Sequence, residues 1–398
     1  MVSSTLDSEG VTPYSWFGVL AIALGAFALV VTEFLPVGLL PGISRDLGIS
    51  EGTAGLAVTA TALLGFLAAP ITAMSIGKTD RRLVLLALTV LLVISSVMSA
   101  LARNFETLLI ARVILGVGVG GFWAISITAA ARLVPDEKVH AASSIVFAGI
   151  SIGSVVSVPA GSYIGAHYDW RIAFMAASVL AVVVLLIQLV ALPKIHIDHG
   201  IKLSNFFGLL KSAKVRGIFL AVIFIVAGQY CGYTFVTPYL EQVTGVDTNV
   251  LSTLLFIYGV GAVAGNFLGG SFAGRNLQLT VVTTVVIFLI ALICMAAFAS
   301  HVVIVTLSLI VWAISWGMAP VGTQLWLYNA TRSDPEAAQA VNTSVFQLSI
   351  GLGSLMGGAA VNTMGLHSSM WLGALVLALA VATVLKVGRM DRFVATTA

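Results

Sequence analysis

Apolar runs of about 20 residues, separated by short polar breaks, fill the chain almost from end to end, long enough for helices to cross a bilayer. Taken in order they predict helical spans at 15–41, 53–76, 83–101, 105–131, 140–166, 171–192, 215–240, 250–273, 278–299, 302–329, 337–363 and 369–387. The runs do not alternate apolar and polar residues, as the roughly 10-residue strands of a membrane barrel do. Helices satisfy their own backbone hydrogen bonds in lipid. The expected fold class is an all-α membrane protein, twelve transmembrane helices in two six-helix pseudo-symmetric bundles. The long polar break from Pro193 to Lys214 divides the spans into an N-terminal bundle (1–192), a linker (193–214) and a C-terminal bundle (215–398).

The two halves read as repeats. A shift of 200 positions matches Arg132 to Arg332, Pro135 to Pro335, Ser144 to Ser344, Gly153-Ser154 to Gly353-Ser354, Gly165 to Gly365 and His167 to His367. Near the start of each half, Thr32-Glu33-Phe34-Leu35-Pro36 meets Thr234-Phe235-Val236-Thr237-Pro238. Two six-helix repeats around a central site is an architecture of secondary transporters.

Composition agrees with the pattern. The chain has 398 residues, 59% hydrophobic and 9% charged, too apolar for a soluble multidomain protein. Its 39 glycines point to close helix packing, because small residues let backbones approach in lipid. The two cysteines, Cys231 and Cys294, fall inside predicted spans, so no disulfide framework is expected. Residues 1–14 hold Asp7 and Glu9 but no Lys or Arg, and the apolar segment after them is too long for a cleaved signal.

Charge sets the expected orientation. With both termini cytoplasmic, Lys78, Arg81, Arg82, Arg132, Lys138, Lys194, Lys202, Lys211, Lys214, Arg216, Arg275, Arg332, Lys386, Arg389 and Arg392 lie inside, and Arg45, Arg103 and Arg171 lie outside. That asymmetry follows the positive-inside rule. The net charge of +3 sits in loops that follow this topology and does not indicate nucleic acid. The basic residue left over is Arg112, in the fourth span, and the acid left over is Glu33, in the first.

A charge at the bilayer centre costs on the order of 3 kcal/mol or more, so such residues are kept for a reason. Glu33 lies roughly 12 Å, and Arg112 roughly 10 Å, below the same membrane surface by helix rise. At a shared depth they are expected to face each other or a common aqueous cavity. Two readings follow: a proton site, with Glu33 as carrier and Arg112 as its modulator, or a permanent salt bridge that fixes helix register.

In the second half Phe235 stands for Glu33 and Trp312 for Arg112. Gln229, Tyr230 and Tyr233 on the seventh span, with Trp316, Thr323, Gln324 and Trp326 on the tenth, surround them. Gln229 and Tyr233 are one turn apart, as are Trp312 and Trp316, so each pair shares a helix face. Aromatic faces with amides suit a flat, uncharged, hydrogen-bonding solute; lipid contact is the other reading, and for Trp326, near a span end, the preferred one. Trp123 and Phe235 complete the candidate substrate-binding set of Gln229, Tyr230, Tyr233, Trp312, Trp316 and Gln324.

The turn Gly77-Lys78-Thr79-Asp80-Arg81-Arg82, echoed by Gly270 to Arg275, could pair differently across helices in two conformations, which makes Asp80, Arg81 and Arg82 gating candidates. Ordinary loop charge is the alternative. The fifth span carries Gly149, Gly153, Pro159, Gly161 and Gly165, a small-residue face that could pack closely and bend, with Gly153 and Pro159 as further gating candidates. His196-Ile197-Asp198-His199 has metal-ligand residue types but sits in a polar linker, and no metal site is expected. No phosphate-binding glycine loop followed by Lys-Ser or Lys-Thr occurs, so ATP-driven transport has no support, and on the proton-site reading of Glu33 the expected energy source is a proton gradient, with no cofactor.

The Asp80-Arg81-Arg82 turn, Arg112-x-x-x-Gly116, the Gly/Pro face of the fifth span and Trp170-Arg171-x-x-Phe174 together resemble the major facilitator superfamily over essentially the whole chain. Within it the chain resembles the twelve-helix proton antiporters. Glu33-Phe34-Leu35-Pro36-Val37, Asp46 to Gly52, Thr79 to Arg82, Gly120-Gly121-Phe122-Trp123-Ala124 and Arg132-Leu133-Val134-Pro135 are similar to the bacterial purine ribonucleoside efflux transporters. Sugar efflux transporters are close relatives of these. The chain departs from the family pattern where Gly77 stands three residues before Asp80 instead of four, and where Gly153 and Pro159 are not adjacent. The resemblance implies proton-coupled export of an inosine-like or guanosine-like metabolite by a monomer in the bacterial inner membrane, and no enzyme activity. A sugar or multidrug antiporter is the alternative. The partners implied are a small-molecule substrate, protons and the lipid bilayer, with no nucleic acid.

Overall fold

The computed structural model describes residues 13–77, 79–195, 208–209, 211–331 and 335–397. Among the described residues, twelve helices are long and apolar enough to cross a membrane. They are α1 (Pro13–Leu47), α2 (Leu56–Ser75), α3 (Arg81–Ala100), α4 (Phe105–Ala131), α5 (Val139–His167) and α6 (Trp170–Ala191). The second set is α7 (Ala213–Tyr233), α8 (Thr248–Ala273), α9 (Leu277–Ala297), α10 (Val302–Ala330), α11 (Pro335–Met364) and α12 (His367–Thr397). Lys78, Lys202, Arg332 and the His196 to His199 cluster lie outside the described residues.

Two elements differ from the hydropathy reading. The first span was expected to end at 41, but α1 runs to Leu47 through both Pro36 and Pro41. The seventh was expected to be continuous to 240, yet α7 stops at Tyr233 and resumes as a short turn, Val236–Pro238, and a wide turn, Tyr239–Val243. Hydropathy registers where a helix is apolar and not whether its backbone bonds survive a proline. Polar residues start several helices: the side chains of Asp80, Asn104, Asp169 and Ser212 accept from the first free N–H groups of α3, α4, α6 and α7.

The packing repeats. In the first set α1 packs on α5 and α6, α2 on α4, and α3 on α4 and α6; in the second, α7 packs on α11 and α12, α8 on α10, and α9 on α10 and α12. The sets meet through α2 against α11 and α5 against α8. These approaches are close enough to require glycine. A side chain at Gly149 of α5 would run into the carbonyl of Ala23 on α1, and one at Gly265 of α8 into that of Ile314 on α10.

The loops joining α1 to α2 and α6 to α7 lie at opposite ends of the helices, called here the α1–α2 end and the linker end. Several contacts between the two sets gather at the α1–α2 end. Arg45 Nη2 is 3.6 Å from Glu241 Oε1, Gln242 donates to Glu51 at 2.9 Å, and Ser50 donates to Asn362 Oδ1 at 2.7 Å. Ser354 Oγ donates to the Gly55 carbonyl at 3.1 Å, and the Phe235 ring lies against Gly55. Along α2 the gradient is plain: Ala57, Val58, Thr59, Thr61 and Ala62 are buried, whereas Leu67, Ile71, Met74 and Ser75, toward the linker end, are exposed.

Candidate functional site

The buried charges are organised by a proline. Pro36 has no N–H to give the carbonyl of Thr32, four residues earlier, so that carbonyl loses its helical partner. Arg112 supplies the replacement: Nη1 donates to Thr32 O at 2.8 Å, and Nη2 donates to Ser99 Oγ of α3 at 3.2 Å. The guanidinium carbon lies 4.7 Å from the centre of the Phe174 ring of α6. Arg112 is fully buried, and its Nε has no partner among the described residues. Thr61 of α2 donates to the Arg112 carbonyl at 3.3 Å, fastening α4 at the same level.

Glu33, the next residue after Thr32, is 4% exposed and does not form an ion pair with Arg112 among the described residues. Its Oε1 accepts from Gln347 Nε2 of α11 at 3.2 Å, a bond from one helix set to the other. The shared depth read from the sequence is therefore realised, but through the peptide between Thr32 and Glu33. The permanent salt bridge is not what the structure contains.

One residue further, Phe34 enters a cavity of about 140 Å³ between the two sets. Its ring stacks on Tyr230 with centroids 5.8 Å apart. Tyr230 meets Tyr233 and Trp316 edge to face at 6.0 and 5.9 Å, and Tyr233 stacks on Tyr258 at 4.9 Å. These rings, with Asn266 of α8, form the wall supplied by the second set. The facing wall is α5, where Ser151, Ser154 and Ser157 recur every three residues on one face. Ser157 Oγ is buried without a hydrogen-bond partner among the described residues. No charged side chain lines the cavity.

The other sequence candidates fall in three places. Gln229 and Trp312 are fully buried behind the aromatic wall: the Trp312 indole donates to Gln229 Oε1, and Gln229 Nε2 donates to Tyr258 Oη at 2.7 Å. They fix Tyr258 and do not line the cavity. Phe235 is fully buried in the seal at the α1–α2 end. Trp123, edge to face with Phe122 at 6.2 Å, is half-buried against the core of the first set, and Gln324 is exposed; neither lines the cavity.

Among the gating candidates, Asp80 Oδ1 accepts from the backbone N–H of Arg82 at 2.9 Å and of Ile195 at 2.8 Å. Arg81 donates to the carbonyls of Thr79 and Gly77 at 3.1 and 3.0 Å, and Arg82 Nη2 to that of Leu189 at 2.8 Å. This turn therefore joins the start of α3 to the end of α6, within the first set. Gly153 and Pro159 lie buried on α5, and Gly153 faces Phe27 and Val30 of α1.

Sequence reasoning missed Phe34, Tyr258, Asn266, Gln347 and the α5 serines. Asn266 and Tyr258, eight residues apart in one span, share a helix face, the same test that singled out Gln229 and Tyr233. Gln347 is an amide deep in an apolar span, a signal of the same kind. Among the described residues no group of three His, Cys, Asp or Glu side chains could hold a metal ion.

An aromatic and hydroxyl-lined cavity between two pseudo-symmetric six-helix sets is transporter architecture. Residues 22–357 match the family model of the Major Facilitator Superfamily, and the chain belongs to that family as a multi-pass membrane transporter. It is 31% identical over 387 residues to the purine ribonucleoside efflux pump NepI of Escherichia coli (strain K12), covering 97% of this chain and 98% of that protein. The NepI of Shigella flexneri gives the same figures. Among solved structures, an inward-facing, unoccupied bacterial homologue of the human lysosomal transporter Spinster superposes with a TM-score of 0.77 at 17% identity, covering 96% of this chain and 98% of that one. A D-xylose–proton symporter gives 0.75 at 17% identity, covering 93% and 97%. At such identities these structures establish the fold alone, and neither fold nor relatives are those of an enzyme.

Proposed function

We propose that the protein exports a flat, neutral, hydroxyl-bearing metabolite in exchange for protons, with purine ribonucleosides such as inosine the best match. The observation that carries this reading is the uncharged cavity with an aromatic wall facing a serine wall, adjoining Glu33 through Phe34. Stacking on aromatic side chains is worth about 1–3 kcal/mol per base, so Tyr230, Tyr233, Tyr258 and Trp316 suit a purine. The α5 serines and Asn266 offer partners to ribose hydroxyls and a base edge. The 31% identity to purine ribonucleoside efflux pumps supports the same substrate class.

Glu33 would carry the proton. Arg112, fixed to the peptide beside it, would hold α1 intact and modulate that site. By the positive-inside rule the linker end and both termini would be cytoplasmic, and the likeness to bacterial efflux pumps supports an inner-membrane location. On that reading the sealed α1–α2 end faces outward and substrate enters from inside. Rocking of residues 1–192 against 215–398 would then expose the cavity outward, with the α5 face at Gly153 and Pro159 and the Asp80 to Arg82 turn as flexing points. The protein would work as a monomer, without a cofactor.

Counterflow of labelled inosine in proteoliposomes tests the substrate, and its acceleration by a pH gradient tests the coupling. A thermal-shift panel of nucleosides, sugars and lipophilic cations separates the classes. Silence toward every nucleoside would sink the nucleoside assignment, and a response to sugars alone would make this a sugar exporter.

A further inference from the structure

Gln347 is 4% exposed, and its Nε2 reaches from α11 to Glu33 Oε1 at 3.2 Å. The room for it comes from α2, where a side chain at Gly65 would sit 3.2 Å from Nε2. Gln347 Oε1 is buried with no hydrogen-bond partner among the described residues. A buried amide oxygen left unpaired is costly, and its presence asks for a reason.

The chemistry of Glu33 supplies one. A carboxylate can only accept a hydrogen bond, whereas a carboxylic acid presents an O–H that must donate. An amide has a donor and an acceptor on one group, and the torsion that exchanges them is soft and roughly two-fold. Nε2–H suits the carboxylate, and Oε1 suits the acid. A single glutamine can thus stay bonded to Glu33 before and after the proton arrives on a carboxylate oxygen, but its bond to the charged carboxylate is the stronger of the two, so protonation weakens the tie between the helix sets.

The bond also crosses between the helix sets. It exists only while α1 and α11 are in contact, and a rocking motion of one set against the other shears that contact. A bound proton shifts an equilibrium between two arrangements only through interactions that differ between them. The other ionisable groups coupled to Glu33 among the described residues are Arg112 on α4 and Tyr230 on α7. Arg112 is tied to Thr32 and Ser99, in the same helix set as Glu33. Tyr230 stacks on Phe34 and is not hydrogen-bonded to Glu33.

Resting on the assignment of Glu33 as proton carrier, we propose that Gln347 is a positioning residue that couples the protonation of Glu33 to the arrangement of the two halves. The full-length protein in proteoliposomes tests this with Glu33→Gln, Gln347→Leu and Gln347→Asn. Gln347→Leu should keep labelled-inosine counterflow while losing gradient-driven accumulation about tenfold, within the usual range of coupling energies. The infrared carbonyl band of protonated Glu33, identified by its absence in Glu33→Gln, should move in the same variant. Gln347→Asn, one methylene too short, should act in the same direction and decides the matter if Gln347→Leu does not fold. Full accumulation with an unmoved band in the Gln347 variants would overturn the proposal. A wild-type protein with no gradient-driven movement and no such band would instead overturn the proton-carrier reading, and this inference with it.

Discussion

The first and seventh spans begin from nearly the same phrase, Thr-Glu-Phe-Leu-Pro at 32–36 and Thr-Phe-Val-Thr-Pro at 234–238, and end differently. Each proline frees the carbonyl of the threonine four residues before it. In α1 the Arg112 guanidinium takes that carbonyl, and the helix continues unbroken to Leu47. At the equivalent place near α7 stands Trp312, whose single N–H goes to Gln229, and the helix breaks at Thr234 and Phe235. The break turns Phe235 into the seal at Gly55, whereas the intact helix presents Glu33 to α11. One proline thus yields either a buried charge site or an aromatic plug. The two places differ in whether a cation meets the freed carbonyl.

The largest effect expected from disturbing this asymmetry is on Glu33. Glu33→Gln should abolish gradient-driven efflux, a drop of about 100-fold if coupling is worth close to 3 kcal/mol, while some downhill exchange persists. Flux at imposed pH gradients checks it, and wild-type gradient dependence in this variant refutes the assigned role.

Next comes the carbonyl. Arg112→Leu leaves Thr32 O without a donor, which should lower stability by about 1–3 kcal/mol in a detergent melt. Adding Pro36→Ala restores a helical N–H at that carbonyl, so the double variant should recover part of the loss. Strict additivity in that cycle would mean that the proline and the arginine are not partners.

On the aromatic side, Trp316→Ala removes one face of the cavity and should raise the KM for inosine about tenfold, matching a stacking loss of about 1–3 kcal/mol. Trp123→Ala, away from the cavity, should leave KM unchanged, and equal effects of the two would disconnect the cavity from recognition. The smallest effect belongs to the sealed end. Arg45→Ala breaks a solvent-exposed ion pair with Glu241 and should cost about 1 kcal/mol or less, visible as a small shift of the open and sealed populations by spin-label distances.

Much of this molecule was legible as pattern. Span length and hydropathy gave the helices, the 200-position repeat gave the two related halves, and two charges in apolar runs marked α1 and α4. Tyr233 and Trp316 stand out because each shares a helix face with a residue one turn away, Tyr230 because it lies beside them, and all three line the cavity. Gln229 and Trp312 passed the same test and lie behind that wall, because periodicity identifies a helix face but not its distance from an open space.

The residues determined by themselves that this chain crosses a bilayer many times, that its halves are related and that Glu33 and Arg112 share a depth. Those follow from local quantities: transfer energy, helix rise and repeated spacing. Tertiary structure decided that Arg112 holds the Thr32 carbonyl and not the carboxylate, that Glu33 is met by Gln347 from the other half, and that α5 serines face the aromatic wall. Each of these is a contact between helices far apart in the chain, set by how the bundles close on each other, and no window of sequence contains both partners.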